Sequence, residues 1–194
     1  VTKKRIGIFG GMFNPIHIGH LHVAQIAQQA KGLDLVYFVP SYLPPDKQLD
    51  QKVTARQRLE MVRLATQGNP GFKVSDFEVK KPDVSYSIET VKHFRAKFPH
   101  PHELFFIIGA DRIKGLPAWQ SIGEILKMLS FLAVHRPGTK TVERPYPVEF
   151  LPAPGLEISS TYLRDHTRTG HAVSYLLPES VRQYVKKYRL YENV

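Results

Sequence analysis

A chain of 194 residues, 42% of them hydrophobic, can bury one sizeable core, and it carries a formal charge of +10 with no cysteine. That excludes disulfides, thiolate metal centres and cysteine nucleophiles. The longest apolar run, residues 104–108, is far short of the roughly 18 residues that a membrane-spanning helix needs. With no signal-peptide core at its start, the chain reads as cytoplasmic. We expect one domain over residues 1–194, with a helical C-terminal segment from about residue 158.

The positive charge is spread along the chain. Its densest group, Lys186, Lys187 and Arg189, sits on a segment where Val181, Tyr184, Val185 and Tyr188 follow i, i+3, i+4, i+7. This pattern predicts an amphipathic helix with its aromatics inward and its lysines in solvent, rather than a nucleic-acid patch. The expected partners are small anions, not nucleic acid or membrane, and a homo-oligomer is left open.

Strand-like runs at 5–9, 34–40, 72–76, 103–109, 130–135 and 147–151 alternate with helical patterns, which predicts an α/β fold with a Rossmann-like parallel sheet flanked by helices on both faces. Helix one starts near Gly19 and buries Val23, Ile26, Ala27 and Ala30. The second follows Thr54, whose capping box with Gln57 opens a face of Leu59, Val62 and Ala65. A third after Ser85 uses Ile88, Val91, Phe94 and Phe98 and stops at Pro99. A further helix begins near Ser159, turns at Gly170 and resumes at Pro178, a residue suited to a first helical turn.

Sites in such sheets form at the carboxyl ends of the strands. There the chain places Gly10 and Gly11 after strand one, residues 40–47 after strand two, Gly109 and Asp111 after strand four, and Arg136 after strand five. The first loop, G-G-M-F-N-P-I-H-I-G-H over residues 10–20, sets two glycines before a helix start carrying His17 and His20. Glycines let the backbone approach a phosphate, and a helix N-terminus attracts anions. The two imidazoles can donate to phosphate oxygens as charge builds. The spacing is not G-x-G-x-x-G, which argues against a dinucleotide-dependent dehydrogenase. A metal reading of the pair with His22 lacks a nearby carboxylate or thiolate.

Residues 158–164, I-S-S-T-Y-L-R, put Ser159, Ser160 and Thr161 at a helix start with Arg164 one turn on, a second phosphate-holding pattern. Taken alone it is an N-cap with a solvent-facing arginine; paired with the first loop it becomes half of a polyphosphate site. Pro44-Pro45-Asp46-Lys47 is a stiff turn presenting a lysine, and Asp111 suits ribose hydroxyls or a helix cap. Trp119, after Leu116-Pro117, suits stacking on a flat ring or burial in the core, and Ser85-Tyr86-Ser87 offers hydroxyls at another helix start.

Together these segments, with G-A-D, L-P-A-W and Arg136-Pro137-Gly138, resemble the nucleotidylyltransferase superfamily and, within it, the bacterial nicotinate mononucleotide adenylyltransferases. The resemblance runs almost the whole chain. It implies in-line attack by the 5′-phosphate of nicotinate mononucleotide on the α-phosphorus of ATP, with Mg²⁺ accompanying the ATP, pyrophosphate leaving and no covalent enzyme intermediate. By the same resemblance His17, His20, Lys47 and Arg164 are the catalytic set. Gly10, Gly11, Met12, Phe13, Gly19, Gly109, Asp111, Ser159, Ser160 and Thr161 hold ATP. Ser85, Tyr86, Ser87, Leu116, Trp119 and Arg136 hold the mononucleotide. No residue is assigned as a metal ligand.

Met12, Asn14 and Ile16 stand where the family usually has a threonine or serine, an aspartate and a second proline, and Asp46 replaces a histidine before Lys47. The rival readings are an adenylyltransferase for nicotinamide mononucleotide or phosphopantetheine, a cytidylyltransferase, and a catalytically silent nucleotide sensor. The H-I-G-H of residues 17–20 also spells a signature of class I aminoacyl-tRNA synthetases, but the chain has no room for a tRNA-binding domain.

Overall fold

The computed structural model describes residues 2–45, 53–135 and 146–192. Within them β1 (Arg5–Gly11), β2 (Leu35–Pro40), β3 (Phe72–Val74), β4 (Glu103–Gly109), β5 (Ser130–His135) and β6 (Val148–Pro152) form one sheet in the order β3-β2-β1-β4-β5-β6. Every neighbouring pair is parallel. The order reverses between β1 and β4, so a crevice opens beyond Gly11 and Gly109, where such sheets bind ligands.

Strand alternation divides the apolar residues between two cores. Phe9, Val36, Phe38, Phe105, Ile107, Leu132 and Val134 face one side, where α1 (Ile18–Lys31), α2 (Ala55–Thr66), α5 (Ser160–Arg168) and α6 (Glu179–Lys187) supply Ala24, Ala27, Met61, Val62, Leu163, Val181 and Val185. Ile6, Ile8, Tyr37, Val39, Leu104, Phe106, Ile108 and Phe131 face the other, covered by α3 (Ser87–Lys97), a 3₁₀ segment over Ala110–Ala118 and α4 (Ile122–Met128). Burial on both faces is what parallel strands require. The α/β class and helices on both faces are as the sequence predicts.

Local signals set the helix ends. Thr54 and Gln57 form the expected capping box, with Gln57 N–H donating to Thr54 Oγ1 at 3.2 Å and Thr54 N–H to Gln57 Oε1 at 2.9 Å. Two expectations need correction. Ala30 is exposed, because the inward stripe of α1 runs through positions 20, 24, 27 and 31 and leaves it on the flank. Tyr188 ends α6 as its C-cap and is 48% exposed, its ring against Tyr184 at 4.6 Å, so only Val181 and Val185 are fully buried. The 3₁₀ segment after β4 carries Pro117 in its interior.

Candidate active site

The loop between β1 and α1 is built from buried residues. Phe13 is only 2% exposed and has φ 48°, an unusual left-handed conformation for a phenylalanine. Its ring lies in the core against Phe9 and Phe38, so what Phe13 offers a ligand is backbone. Ile16 is fully buried, which accounts for an apolar residue there.

His17 is the N-cap of α1 and His20 its third residue, and the two rings stack 3.7 Å apart. They are not equivalent. His17 is 2% exposed, folded over the helix start above Gly19; a Cβ at Gly19 would meet its ring at 3.0 Å, so glycine makes that packing fit. His20 is half-buried, walled by Phe13 at 5.1 Å and Phe9 at 6.2 Å. The His17 backbone N–H donates to His20 Nδ1 at 3.2 Å. In the neutral ring this bond puts the proton on Nε2, turning a donor away from the backbone. The two rings thus differ in exposure, His17 buried and His20 half-buried beside it. His22 points elsewhere, its Nε2 3.1 Å from the Pro154 carbonyl.

The second motif meets the first across the whole length of the chain. Ser160 Oγ donates to the Pro15 carbonyl at 2.9 Å, and Arg164 Nη1 donates to the Asn14 carbonyl at 2.9 Å. Arg164 Nη2 also donates to Thr161 Oγ1 at 3.2 Å. Ser159 is the N-cap of α5, its Oγ accepting from Tyr162 N–H at 3.1 Å, so the capping role holds for this serine. Further along, Ile18 N–H donates to the Leu176 carbonyl at 3.1 Å and the Tyr191 hydroxyl donates to Asn14 Oδ1 at 2.6 Å. Neither α1 nor α5 has an acidic residue in its first turn. Two helix N-termini without first-turn carboxylates thus converge on one loop, which favours an anion.

On the other side of the crevice, Asp111 Oδ1 lies so close over Gly109 that a Cβ there would come within 2.4 Å of it. Glycine lets that exposed carboxylate pack onto the end of β4. Leu116 is fully buried, and its carbonyl accepts from Trp119 N–H at 3.0 Å, which shapes the turn. Trp119 is half-buried, edge-on to Phe106 at 5.3 Å and Phe131 at 5.8 Å, so the second core fixes its ring at the rim. Ser85 Oγ accepts from Tyr42 N–H at 3.0 Å and Ser85 N–H donates to the Leu43 carbonyl at 2.7 Å, joining the loop after β2 to the start of α3. Tyr86 caps that helix and Ser87 is its first residue. Lys47, Asp46 and Arg136 lie outside the described residues.

With both phosphate motifs placed around residues 14 and 15, the comparison with known proteins is direct. Residues 8–166 match the cytidylyltransferase-like family model. Nicotinate-nucleotide adenylyltransferase of Bacillus subtilis (strain 168) is 42% identical over 190 residues, 98% of this chain and 100% of that one. The chain belongs to this family. Its fold is also that of nicotinic acid mononucleotide adenylyltransferase of Plasmodium falciparum, solved in complex with NaAD (TM-score 0.81, 20% identity) and with APC (TM-score 0.78, 19% identity), each covering 97% of both chains.

Sequence reasoning missed several supports of the site. Arg58, only 1% exposed, donates from Nη1 to the carbonyls of Met12 at 2.8 Å and Ser41 at 2.6 Å, and from Nη2 to that of Tyr42 at 2.9 Å. The signal was present: Arg58 shares the inward face of α2 with Ala55, Leu59 and Val62. Glu78 is the second. Burial pushes its carboxyl above the usual range, aided by Glu89, while hydrogen bonds from Thr90 and Ser85 and the charge of Arg58 pull it back. Nothing in the spacing around Glu78 announces this.

Proposed function

We propose that this protein transfers AMP from ATP to nicotinate mononucleotide, giving deamido-NAD and pyrophosphate. The observation that carries the reading is the meeting of the two phosphate motifs at Asn14 and Pro15, beside the sheet's switch point. The relatives named for this activity, similar over nearly the full chain, support the choice of mononucleotide.

In this reading an oxygen of the mononucleotide 5′-phosphate attacks the α-phosphorus in line, and the bond from that phosphorus to the bridging oxygen breaks as pyrophosphate departs. The enzyme supplies position and charge rather than a nucleophile. His20, through Nε2, meets the α-phosphate, with His17 stacked behind it. Gly10, Gly11, Met12, Phe13 and Gly19 line the phosphate loop with backbone. Ser160, Thr161 and Arg164 lie along the β- and γ-phosphates, with Ser159 as their helix cap. Gly109 and Asp111 take the adenosine ribose. Trp119 stacks on the pyridine ring while Ser85, Tyr86 and Ser87 read its substituent.

Among the described residues no three His, Asp or Glu side chains gather into a metal-holding group. In this reading Mg²⁺ enters with the triphosphate as MgATP, as is usual for an ion that keeps much of its water.

The test is pyrophosphate release from ATP and Mg²⁺ with nicotinate mononucleotide, nicotinamide mononucleotide or phosphopantetheine supplied in turn. Release chiefly with the nicotinate form is expected. Silence with both mononucleotides would refute the reading.

A further inference from the structure

Arg58 is one of the largest fully buried side chains, and it meets the proposed phosphate loop at the Met12 carbonyl. Burying a guanidinium costs several kcal/mol unless its donors are matched. Here three carbonyls accept from its two Nη groups, all from chain leaving the carboxyl ends of β1 and β2: Met12, Ser41 and Tyr42. The fork geometry of arginine lets one side chain reach all three; a lysine at the same place is a single point charge.

These contacts set peptide orientation. A trans peptide holds its C=O and N–H in opposite directions. Turning the Met12 carbonyl down onto Arg58 therefore turns the Phe13 N–H away from the guanidinium, in a loop where Phe13 already sits at φ 48°. Likewise, with the Ser41 carbonyl on Arg58, the Tyr42 N–H turns the other way, and there it donates to Ser85 Oγ. Ser85 immediately precedes Tyr86, the N-cap of α3. A continuous polar chain thus runs from the phosphate loop through Arg58 and Tyr42 to the start of α3.

We propose that Arg58 is a positioning residue for AMP transfer, holding the loops after β1 and β2 in one register so that the nucleotide phosphates and the mononucleotide meet in line. This rests on the adenylyl-transfer reading above. It assigns to a residue on α2 the joint orientation of both substrate-binding loops.

The test compares Arg58→Lys with wild type at a temperature well below the melting point of each, reading kcat, the KM of each substrate and the calorimetric Kd for ATP. Loss of two of three charged hydrogen bonds predicts a fall in kcat/KM of about tenfold or more, with the ATP Kd weakened several-fold. Arg63→Lys, five residues on in the same helix and 52% exposed as a side chain, keeps wild-type values. Ser85→Ala serves as a second variant from the far end of the chain: the proposal expects its ATP Kd, and not only its mononucleotide KM, to weaken. An Arg58→Lys protein with a lowered melting temperature but kcat, KM and ATP Kd within twofold of wild type would overturn the proposal, leaving Arg58 a stability residue. An unchanged ATP Kd in Ser85→Ala would overturn the link between the loops. Absence of product from the wild-type protein would instead refute the adenylyl-transfer reading, and the ATP Kd values then decide the role of Arg58 independently.

Discussion

Replacing Gly19 by alanine separates the stability of α1 from the placement of its histidines. The new Cβ meets His17 Nδ1 at 3.0 Å and Cε1 at 3.1 Å, so the ring must give way by about 0.4 Å to reach ordinary contact. Helix propensity favours alanine by at most about 1 kcal/mol, and pushing the ring off its preferred rotamer costs about 0.5 to 1.5 kcal/mol. The two nearly cancel, so the melting temperature should shift by no more than about 4 °C. Activity should not be spared. His17 lies against His20 at 3.7 Å, so its displacement passes to the ring proposed to meet the α-phosphate. If misplacement by about 1 Å costs about a hundredfold, 0.4 Å costs roughly sixfold in turnover. Thermal melting together with pyrophosphate release at saturating ATP and nicotinate mononucleotide reads both quantities on one preparation. Turnover within twofold of wild type would show that the His17 ring does not position His20, and the account of the pair would have to be abandoned.

Three further outcomes are expected. His20→Ala should lower turnover by a factor on the order of a hundred with the far-UV circular dichroism of wild type, since one preorganised donor at a developing charge is worth that much; unchanged turnover removes His20 from the reaction. Tyr191→Phe, which deletes the 2.6 Å hydrogen bond to Asn14, should cost about 1 kcal/mol and lower the melting temperature by about 2 to 4 °C. An unmoved melting curve would mean that the tail does not tie down the phosphate loop. Glu78 carries the pH prediction. Its carboxyl titrates higher in the folded protein than its ordinary 4.5, so folding favours the protonated form; that stability is present below about pH 4.5 and lost as pH rises through the folded value. Glu78→Gln should therefore gain stability at neutral pH relative to wild type and flatten the fall on that limb, as followed by urea midpoints across the pH range. A variant that is less stable at pH 7 would contradict the burial argument.

The sequence by itself determined the α/β class and the strands and helices near their observed bounds, and marked the two segments proposed to hold phosphate. These depend on local chemistry: apolar runs of strand length, the Thr54 capping box, glycines before a helix start and hydroxyls at another. It also put Arg58 on the inward face of α2, but periodicity says only that a position is inward, not what a charged residue finds there. What only the tertiary structure decided is the work of the support residues. Ser160 and Arg164 reach the carbonyls of Pro15 and Asn14 across nearly 150 positions. Arg58 gathers carbonyls from two loops, and Tyr191 finds Asn14 from near the chain's end. The inequality of His17 and His20 belongs here too, because burial depends on which neighbours the fold packs against each ring. Local signals follow from the rise and twist of one element, whereas these pairings exist only once a parallel sheet brings the carboxyl ends of distant strands to one edge.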